Sequence, residues 1–247
     1  MRLVCASLGG KIPAASCHLN FLAPPNRRQA RLLLTMPSRF DQAAAQWDNN
    51  PGRVDLARAV GAAMVRAIPL QPDWRVLDYG AGTGLLTLSL QPRAGSLLAM
   101  DASAGMLEKL DQKIKAAGIA NVQTRHWNLE AEPFPDAGFD LAVSSMTLHH
   151  LRDVPLVFGR LAALLKPGGW LAAADLDTED GTFHGHADDV FHRGFERRQV
   201  ADWLTQAGFV RVSVGDAHSM VKPSSTGQVR AYGVFLAVGQ KGVIQFG

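Results

Sequence analysis

The sequence predicts one α/β domain with a mainly parallel, seven-stranded sheet, helices on both faces and an antiparallel hairpin at one edge. Three features of the 247-residue chain indicate this fold. Short apolar strands alternate with helices of about 10–15 residues, as in sheets whose parallel strands are joined by crossover helices. A glycine-rich turn directly follows the first strand. The last two predicted strands have no helix between them, so we expect them to pair antiparallel.

The individual elements follow from hydrophobic spacing and from residues that begin or end each segment. The first helix runs at helical spacing up to Pro69, while Ser103 is suited to cap a later helix and Gly118 to end it. The turn Lys-Pro-Gly-Gly at 166–169 stops the helix before it. The predicted helices are 53–68, 84–90, 103–117, 154–165 and 197–207, and the predicted strands are 75–79, 96–100, 122–127, 139–144, 170–175, 209–214 and 232–238.

The first 35 residues differ in composition from the rest of the chain. They contain prolines, basic residues and both cysteines, Cys5 and Cys17, whereas the first acidic residue is Asp41. We expect residues 1–35 to be a disordered leader, or to reflect a translation start set too early, with the domain at 36–247. An organelle transit peptide is the alternative. The cysteine-free remainder excludes a catalytic thiol and a zinc–cysteine site there, and it suits a reducing cytoplasm.

The distribution of charge argues against a nucleic-acid partner. Six of the 25 basic residues precede the first of the 22 acidic residues, so the rest of the chain carries 19 basic residues and a net charge of about −3. A mildly acidic domain lacks the basic surface that phosphate backbones require. Because no run of about 18 apolar residues occurs, we expect no membrane span. Nothing in the sequence predicts an oligomeric state.

The strongest functional signal is the stretch 76–84, Val-Leu-Asp-Tyr-Gly-Ala-Gly-Thr-Gly. Gly80, Gly82 and Gly84 alternate directly after a buried strand, where open α/β sheets bind ligands, and glycine lets a ligand approach the backbone closely. Dinucleotide-binding folds instead use G-x-G-x-x-G and place a pyrophosphate at a helix N-terminus. Asp78 would repel a pyrophosphate but attract an ammonium or sulfonium group. This charge favours S-adenosylmethionine (SAM) over NAD.

With these motifs, the sequence resembles the class I SAM-dependent methyltransferases, and within them the small-molecule group similar to the ubiquinone/menaquinone-biosynthesis enzymes. The resemblance covers residues 40–238 and rests on the glycine loop, on the acid that ends the second strand, and on the motifs at 127–140 and 144–151. It implies a Rossmann-like fold, SAM as cofactor and methyl transfer to a small-molecule acceptor. The glycine loop, including Ala81, would then wrap the methionine part of SAM.

The resemblance also implies roles around the adenosine part of SAM. Asp101 ends the second strand, and the family's matching acid binds the ribose hydroxyls; an acid that only favours a helix start is the alternative. Ala102 and Met106 would flank the adenine. The family usually has an aspartate, which contacts the adenine amino group, where this chain has Asn128. An amide oxygen can still accept that bond, although without the charge, and Leu129 can offer a backbone N–H.

The stretch 144–151, Ser-Ser-Met-Thr-Leu-His-His-Leu, follows the fourth strand, where the family places substrate and cofactor side by side. Ser144 is therefore expected at the cofactor. His149 is our candidate for a base near the methyl group, although such histidines often only begin or support the next helix. The strand at 170–175 and the turn before it are expected to provide packing alone.

Two further segments are expected to cover the acceptor. The stretch 39–48 resembles the family's N-terminal lid, with Phe40 and Trp47 against the cofactor. The loop at 175–192 holds several acids, which allow a cationic or amine acceptor: Asp177, Glu179 and Asp180. The loop also contains possible metal ligands, but their spacing matches no zinc pattern and we predict no metal site: His184, His186, Asp188 and His192.

Two alternatives to a small-molecule methyltransferase stay open. One is a catalytically inactive SAM-binding protein with a regulatory or partner role. The other is an NAD-dependent oxidoreductase, against which Leu85 argues, because it stands where the third glycine of a dinucleotide-binding loop belongs. The lack of a catalytic triad does not count against an enzyme, since an already nucleophilic acceptor needs positioning more than a base.

Overall fold

A computed structural model describes residues 38–185 and 187–243 of the chain. The expected leader and His186 lie outside the described residues. In chain order, the helices are α1 (Arg39–Ala43), α2 (Pro51–Ala67), α3 (Leu85–Leu90), α4 (Ala104–Ala117), α5 (Val154–Leu164) and α6 (Arg197–Gln206). The strands are β1 (Arg75–Tyr79), β2 (Ser96–Asp101), β3 (Val122–His126), β4 (Phe139–Ser145), β5 (Leu165–Leu176), β6 (Phe209–Pro223) and β7 (Val229–Lys241). Short 3₁₀ helices occupy Ala44–Asn49, Gln91–Arg93 and Leu148–His150.

The strands form one seven-stranded sheet in the order β3-β2-β1-β4-β5-β7-β6. β1 to β5 pair in parallel, whereas β7 pairs antiparallel with both β5 and β6. The predicted α/β fold is therefore confirmed, including the antiparallel hairpin at one edge. The strand order reverses direction between β1 and β4, which creates a crevice at the carboxyl ends of these two strands.

Both faces of the sheet are covered by helices. Along β1, Val76 packs on the side of α2 and α3, whereas Leu77 and Tyr79 pack on the side of α5 and α6. This alternation reflects the two-residue period of a strand, and it explains why the central strands have apolar residues in unbroken runs. No helix in the described part of the chain is both long and apolar enough to cross a membrane.

The helix boundaries follow the predicted capping residues. The Ser103 hydroxyl accepts a hydrogen bond from the Met106 N–H, and Gly118 ends α4 in the left-handed conformation at φ +62°. Asn50 caps α2 and Pro51 occupies its first turn, where a missing N–H costs nothing. The first predicted helix accordingly starts two residues earlier than the hydrophobic spacing alone indicated.

Three strands are clearly longer than predicted, since β7 also extends by three residues at each end. β5 already begins at Leu165, because the Lys-Pro-Gly-Gly segment, with Gly168 at φ +77°, forms an irregularity between two pairings with β4. β6 extends to Pro223 and pairs with β7 along its whole length. Most side chains of β6 are exposed, so its outer half lacks the apolar alternation from which strands are predicted.

Candidate functional site

A cavity of about 860 Å³ opens where β1, β2 and β4 end. Its walls are the segment from Ser38 to Asp55, the glycine loop, the start of α4, the turn after β4, and the loop after β5 together with the outer half of β6. Ligand pockets for small molecules have volumes of about 300–1,000 Å³, so this cavity is at the large end of that range. It lies at the ligand-binding edge of an open α/β sheet.

The three glycines of the loop after β1 differ in their surroundings. All three have positive φ, between +54° and +82°. A Cβ on Gly80 would collide with Thr147, and a Cβ on Gly84 would collide with Leu110 of α4. Both positions are therefore too closely packed to hold a residue with a side chain. A Cβ on Gly82 would meet no protein atom within 4 Å. Gly80 and Gly82 line the cavity, whereas Gly84 brings α4 close to the loop.

Asp101 lies at the end of β2 with its carboxylate fixed by the backbone. One oxygen accepts the Gly82 N–H at 2.7 Å and the other accepts the Ser103 N–H at 2.7 Å. Burial raises the pKa of Asp101, although these N–H donors oppose the rise. Since a carboxylate has about four acceptor positions, two remain available for hydroxyl groups. Ala102 and Met106 line the same part of the cavity.

Asp78 is buried beneath the glycine loop and also borders the cavity. Its carboxylate accepts a hydrogen bond from the Thr87 hydroxyl at 2.6 Å. Burial raises the pKa of Asp78 to about 7, opposed by Thr87 and reinforced by the negative charge of Asp101. No basic side chain forms an ion pair with Asp78 among the described residues. A cationic ligand would therefore supply the positive charge that no described residue places beside this carboxylate.

The segment 38–50 covers the cavity, and two of its acids bind the glycine loop and the start of α4. Asp41 accepts the Ser103 hydroxyl at 2.6 Å and the Gly105 N–H at 2.8 Å, and these bonds attach α1 to the start of α4. Asp48 accepts the Thr83 hydroxyl at 2.5 Å and also pairs with a lysine of α4. Sequence patterns did not reveal either acid, because each acts through residues far away in the chain.

The predicted aromatic residues of this lid segment do face the cavity. Phe40 and Trp47 both line it, with their ring centroids 5.9 Å apart at an edge-to-face angle. Phe40 also contacts the ring of His150, with centroids 4.9 Å apart. The lid segment thus connects the glycine loop with the turn after β4.

Residues 76–169 match the family described as "Methyltransferase domain". The demethylmenaquinone methyltransferase of Geobacillus kaustophilus is 28% identical over 151 residues, which cover 59% of this chain and 64% of that protein. The uncharacterised methyltransferase YcgJ of Bacillus subtilis is 30% identical over 112 residues, which cover 45% of this chain and 44% of YcgJ. In its matched residues, the chain therefore carries a methyltransferase domain of the class I SAM-dependent type. It spans less than two thirds of the length of these curated relatives.

Solved structures share the fold of this chain. The crystal structure of YcgJ superposes with a TM-score of 0.60 at 18% identity, over 74% of this chain and 98% of YcgJ. Phosphoethanolamine N-methyltransferase 2 of Haemonchus contortus, in complex with phosphomonomethylethanolamine and S-adenosylhomocysteine, gives a TM-score of 0.59 at 17% identity. That match covers 74% of this chain and 52% of the nematode enzyme. At such identities the similarity concerns the fold alone.

Three residues expected at the cofactor are placed differently from one another. Asn128 lines the cavity, but its amide oxygen accepts the Glu130 N–H at 2.8 Å, which occupies one of its two acceptor positions. Leu129 is fully buried in the core and is not part of the cavity wall. Ser144 is also buried, and its hydroxyl donates to the Tyr79 carbonyl at 2.8 Å. The structure therefore does not bring Leu129 or Ser144 to the site.

The turn after β4 supplies the cavity wall in place of Ser144. Ser145, Met146 and Thr147 line the cavity. Met146 adopts φ +56°, a left-handed conformation that is costly for a residue with a side chain and that often marks a functional site. The serine that lines the cavity is Ser145, one position after the predicted Ser144. A shift of one position moves a side chain to the opposite face of a strand.

His149 lies at the other end of the cavity, in contact with a buried acid. Its Nδ1 lies 2.7 Å from the carboxylate of Asp175, which ends β5. Its Nε2 lies 3.0 Å from Nε2 of His184, in the loop after β5. Burial favours a higher pKa for Asp175, but the charge of His149 and several N–H donors outweigh it and lower the pKa. The prediction that the strand at 170–175 provides packing alone was wrong, because its last carboxylate orients His149.

Two neighbouring histidines are held neutral at ordinary pH. Burial and the neighbouring His149 lower the pKa of His150 to about 4 and that of His184 to about 3. Both rings line the cavity, as does Phe183. This end of the cavity therefore combines aromatic surface with neutral imidazoles.

The acids of the loop after β5 are engaged elsewhere. Asp177 pairs with Arg197 through two hydrogen bonds of 2.7 and 2.8 Å. Glu179 accepts the Phe183 N–H, and Asp180 pairs with Arg230. Because none of these acids lines the main cavity, they give no support to a cationic or amine acceptor. His192, one of the possible metal ligands of this loop, packs against Phe195.

Proposed function

We propose that this chain transfers a methyl group from SAM to a small-molecule acceptor. The observation that carries the proposal is the arrangement of two carboxylates along one cavity, with Asp78 under the glycine loop and Asp101 at the end of the next strand. The first matches the cationic methionine end of SAM, and the second matches the ribose hydroxyls. The absence of cysteine from residues 18–247 supports a cytoplasmic location.

The residues present fit SAM in charge and in shape. Gly82 leaves open space where a side chain would otherwise stand, so a ligand can approach the backbone. Asp101 retains free acceptor positions for two hydroxyl groups, and Met106 offers an apolar surface to a base. When bound, SAM supplies an electrophilic methyl carbon, and the electron pair of the broken bond remains on sulfur.

The chain's own contribution is to position two reactants and exclude water. The lid segment 38–50 closes one side of the cavity through Asp41 and Asp48, while Phe183 and the outer half of β6 close the other. Alignment of reacting atoms in a dry site supplies most of the acceleration that an in-line displacement requires. His149 stands at the acceptor end, with Asp175 fixing its ring.

The acceptor is proposed to be small and largely uncharged. The walls at the acceptor end include Phe40, Phe183, Met146 and Met220, together with imidazoles that are neutral at pH 7. Lys222 also lines the cavity, where its ammonium group donates to the Phe183 carbonyl at 2.8 Å. The ion-paired acids of the neighbouring loop leave no free carboxylate aimed at this end within the described residues. A neutral, partly aromatic acceptor therefore suits the cavity better than an amine.

The test is methyl transfer from labelled SAM to a metabolite extract, followed by mass identification of the methylated product. We expect a product with the full chain and its loss with Asp101→Ala. A chain that binds SAM in calorimetry but labels no extract would be an inactive SAM-binding protein. Binding of NAD in preference to SAM would indicate an oxidoreductase.

A further inference from the structure

Three histidines meet at the acceptor end of the cavity. His149 and His150 belong to the 3₁₀ turn after β4, and His184 lies in the loop after β5. One ring nitrogen of each lies within 4.8 Å of a ring nitrogen of the other two. In the described ranges 38–185 and 187–243, this is the group of three whose side chains offer metal-binding atoms at such short range.

Two of the rings have their Nδ1 atoms held by acceptors outside the cluster. Nδ1 of His149 lies 2.7 Å from the Asp175 carboxylate, and Nδ1 of His150 lies 2.6 Å from the Asp189 carbonyl oxygen. Both partners are acceptors, so each Nδ1 carries a proton, and the neutral form of each ring keeps its lone pair on Nε2. Metal-binding histidines in proteins are held in this manner, with the second ring nitrogen donating to a carboxylate or to a backbone carbonyl.

Asp175 is itself rigidly fixed. It is fully buried, and its carboxylate accepts the N–H groups of Leu148 at 2.8 Å and Leu176 at 2.7 Å. Two strand ends, β4 and β5, thereby hold the ring of His149 in one orientation. Such support from rigid elements is typical of a preorganised ligand.

We propose that His149, His150 and His184 bind one divalent transition-metal ion of the zinc class, with a coordination position open to the cavity. Zinc–nitrogen bonds of about 2.0–2.1 Å place tetrahedral ligand atoms about 3.3 Å apart, close to the 3.0 Å between Nε2 of His149 and Nε2 of His184. The three ring nitrogens, which lie within 4.8 Å of one another, must approach by at most about 1.5 Å to complete the set. Nitrogen-only ligation favours zinc, copper or nickel over magnesium and calcium.

Three protein ligands with one open position characterise catalytic rather than structural zinc sites. The open position faces the part of the cavity assigned to the acceptor, where an acceptor oxygen or sulfur atom would complete the coordination and become more acidic. This last step rests on the proposed methyltransferase function, whereas metal binding itself does not. The expectation of no metal site came from spacing along one loop, and spacing cannot reveal ligands drawn from two strand ends.

The test is titration of the metal-stripped full chain with Co²⁺, followed by visible absorption and by competition with Zn²⁺. We expect one equivalent to bind, with the intense visible bands of a low-coordinate nitrogen site. His184→Gln should weaken binding by at least about 100-fold, since even a changed orienting partner costs about 10–100-fold. His218→Gln is the matched control: His218 lines the same cavity outside the cluster, and its loss should leave affinity unchanged.

Cysteine ligands in residues 1–35 would give a different spectrum, with sulfur-to-cobalt bands in the near ultraviolet. The titration is therefore repeated in the Cys5→Ser, Cys17→Ser background, where the visible bands should persist. The proposal is overturned by the absence of stoichiometric binding, by bands that vanish with the two cysteines, or by equal affinity in the native chain and His184→Gln. Circular dichroism verifies that His184→Gln is folded, and His150→Gln serves as the second variant. S-adenosylhomocysteine binding is measured separately, so failure at the metal site stays distinct from failure of the cofactor site.

Discussion

The pH dependence of S-adenosylhomocysteine (SAH) binding offers a direct test of Asp78. Burial raises the pKa of this carboxyl to about 7, and a ligand ammonium group needs it ionised. Below its pKa, the ionised fraction of Asp78 falls about tenfold per pH unit, and each such step removes about 1.4 kcal/mol of binding free energy. We therefore expect the SAH affinity to fall about tenfold between pH 6.5 and pH 5.5.

Isothermal titration calorimetry from pH 5.5 to pH 7.5 measures this slope, because the ligand ammonium group stays protonated throughout. Asp78→Asn imitates the protonated carboxyl, and its oxygen can still accept the Thr87 hydroxyl. This variant should bind SAH weakly and with little dependence on pH. Any slope that remains in it belongs to Asp101, whose pKa is also raised by burial. Equal slopes in the native chain and in Asp78→Asn would refute the assignment of Asp78.

The same carboxyl affects the stability of the ligand-free protein. A folded-state pKa of about 7, against 3.8 for an exposed aspartate, means that stability is lost as pH rises from about 4 to about 7. The upper limit of the loss is about 4 kcal/mol. Asp78→Asn should consequently be more stable than the native chain at pH 8 in urea unfolding. A less stable variant at that pH would contradict the buried, unpaired charge.

Three further changes test the remaining contacts of the cavity. Asp101→Asn should weaken SAH binding by about 1–3 kcal/mol in calorimetry, because charge-assisted hydrogen bonds are lost. Gly82→Ala should preserve the fold and lower SAH affinity, whereas Gly80→Ala should lower the melting temperature, because its Cβ would collide with Thr147. Asp41→Ala should release the lid segment, so that limited proteolysis cleaves residues 38–50 faster and SAH binds more weakly.

Controls separate these effects from general damage. Asp111→Asn, in an exposed acid of α4, should change neither SAH affinity nor stability by more than about 0.5 kcal/mol. An Asp101→Asn chain that bound SAH as the native chain does would remove the ribose assignment. Equal melting temperatures for the two glycine variants would contradict the difference in their surroundings. An unchanged cleavage rate in Asp41→Ala would show that α1 is held by other contacts.

The sequence predicted the sheet, and it singled out cavity-lining residues in the glycine loop and at the second strand end, because both depend on local patterns. Alternating glycines after a buried strand and an acid at the next strand end are readable along a short stretch, and both positions line the cavity. The bounds of β1 to β4 are correct to within one residue, and the buried strands among them have continuous apolar runs. β5 begins five residues earlier than predicted. The outer half of β6 escaped prediction since its side chains are mostly exposed.

The acceptor end depends on residues that only the fold brings together. Asp175 and His149 come from different strand ends, and His184 joins them from a loop, so no spacing along the chain connects them. Ser144 was expected at the cofactor, but its neighbour Ser145 lines the cavity instead. Successive side chains of a strand point to opposite faces, so a difference of one residue decides which serine reaches the cavity. Asp41 and Asp48 were missed for a related reason, since each binds a partner in the glycine loop or α4.

A crystal structure of the full chain with SAH tests the central claim most directly. We expect the ribose hydroxyls on the Asp101 carboxylate, the amino-acid end beside Asp78 and the sulfur atom turned toward the three histidines. SAH bound outside the cavity, or in it with its ribose away from Asp101, would contradict the proposed cofactor site.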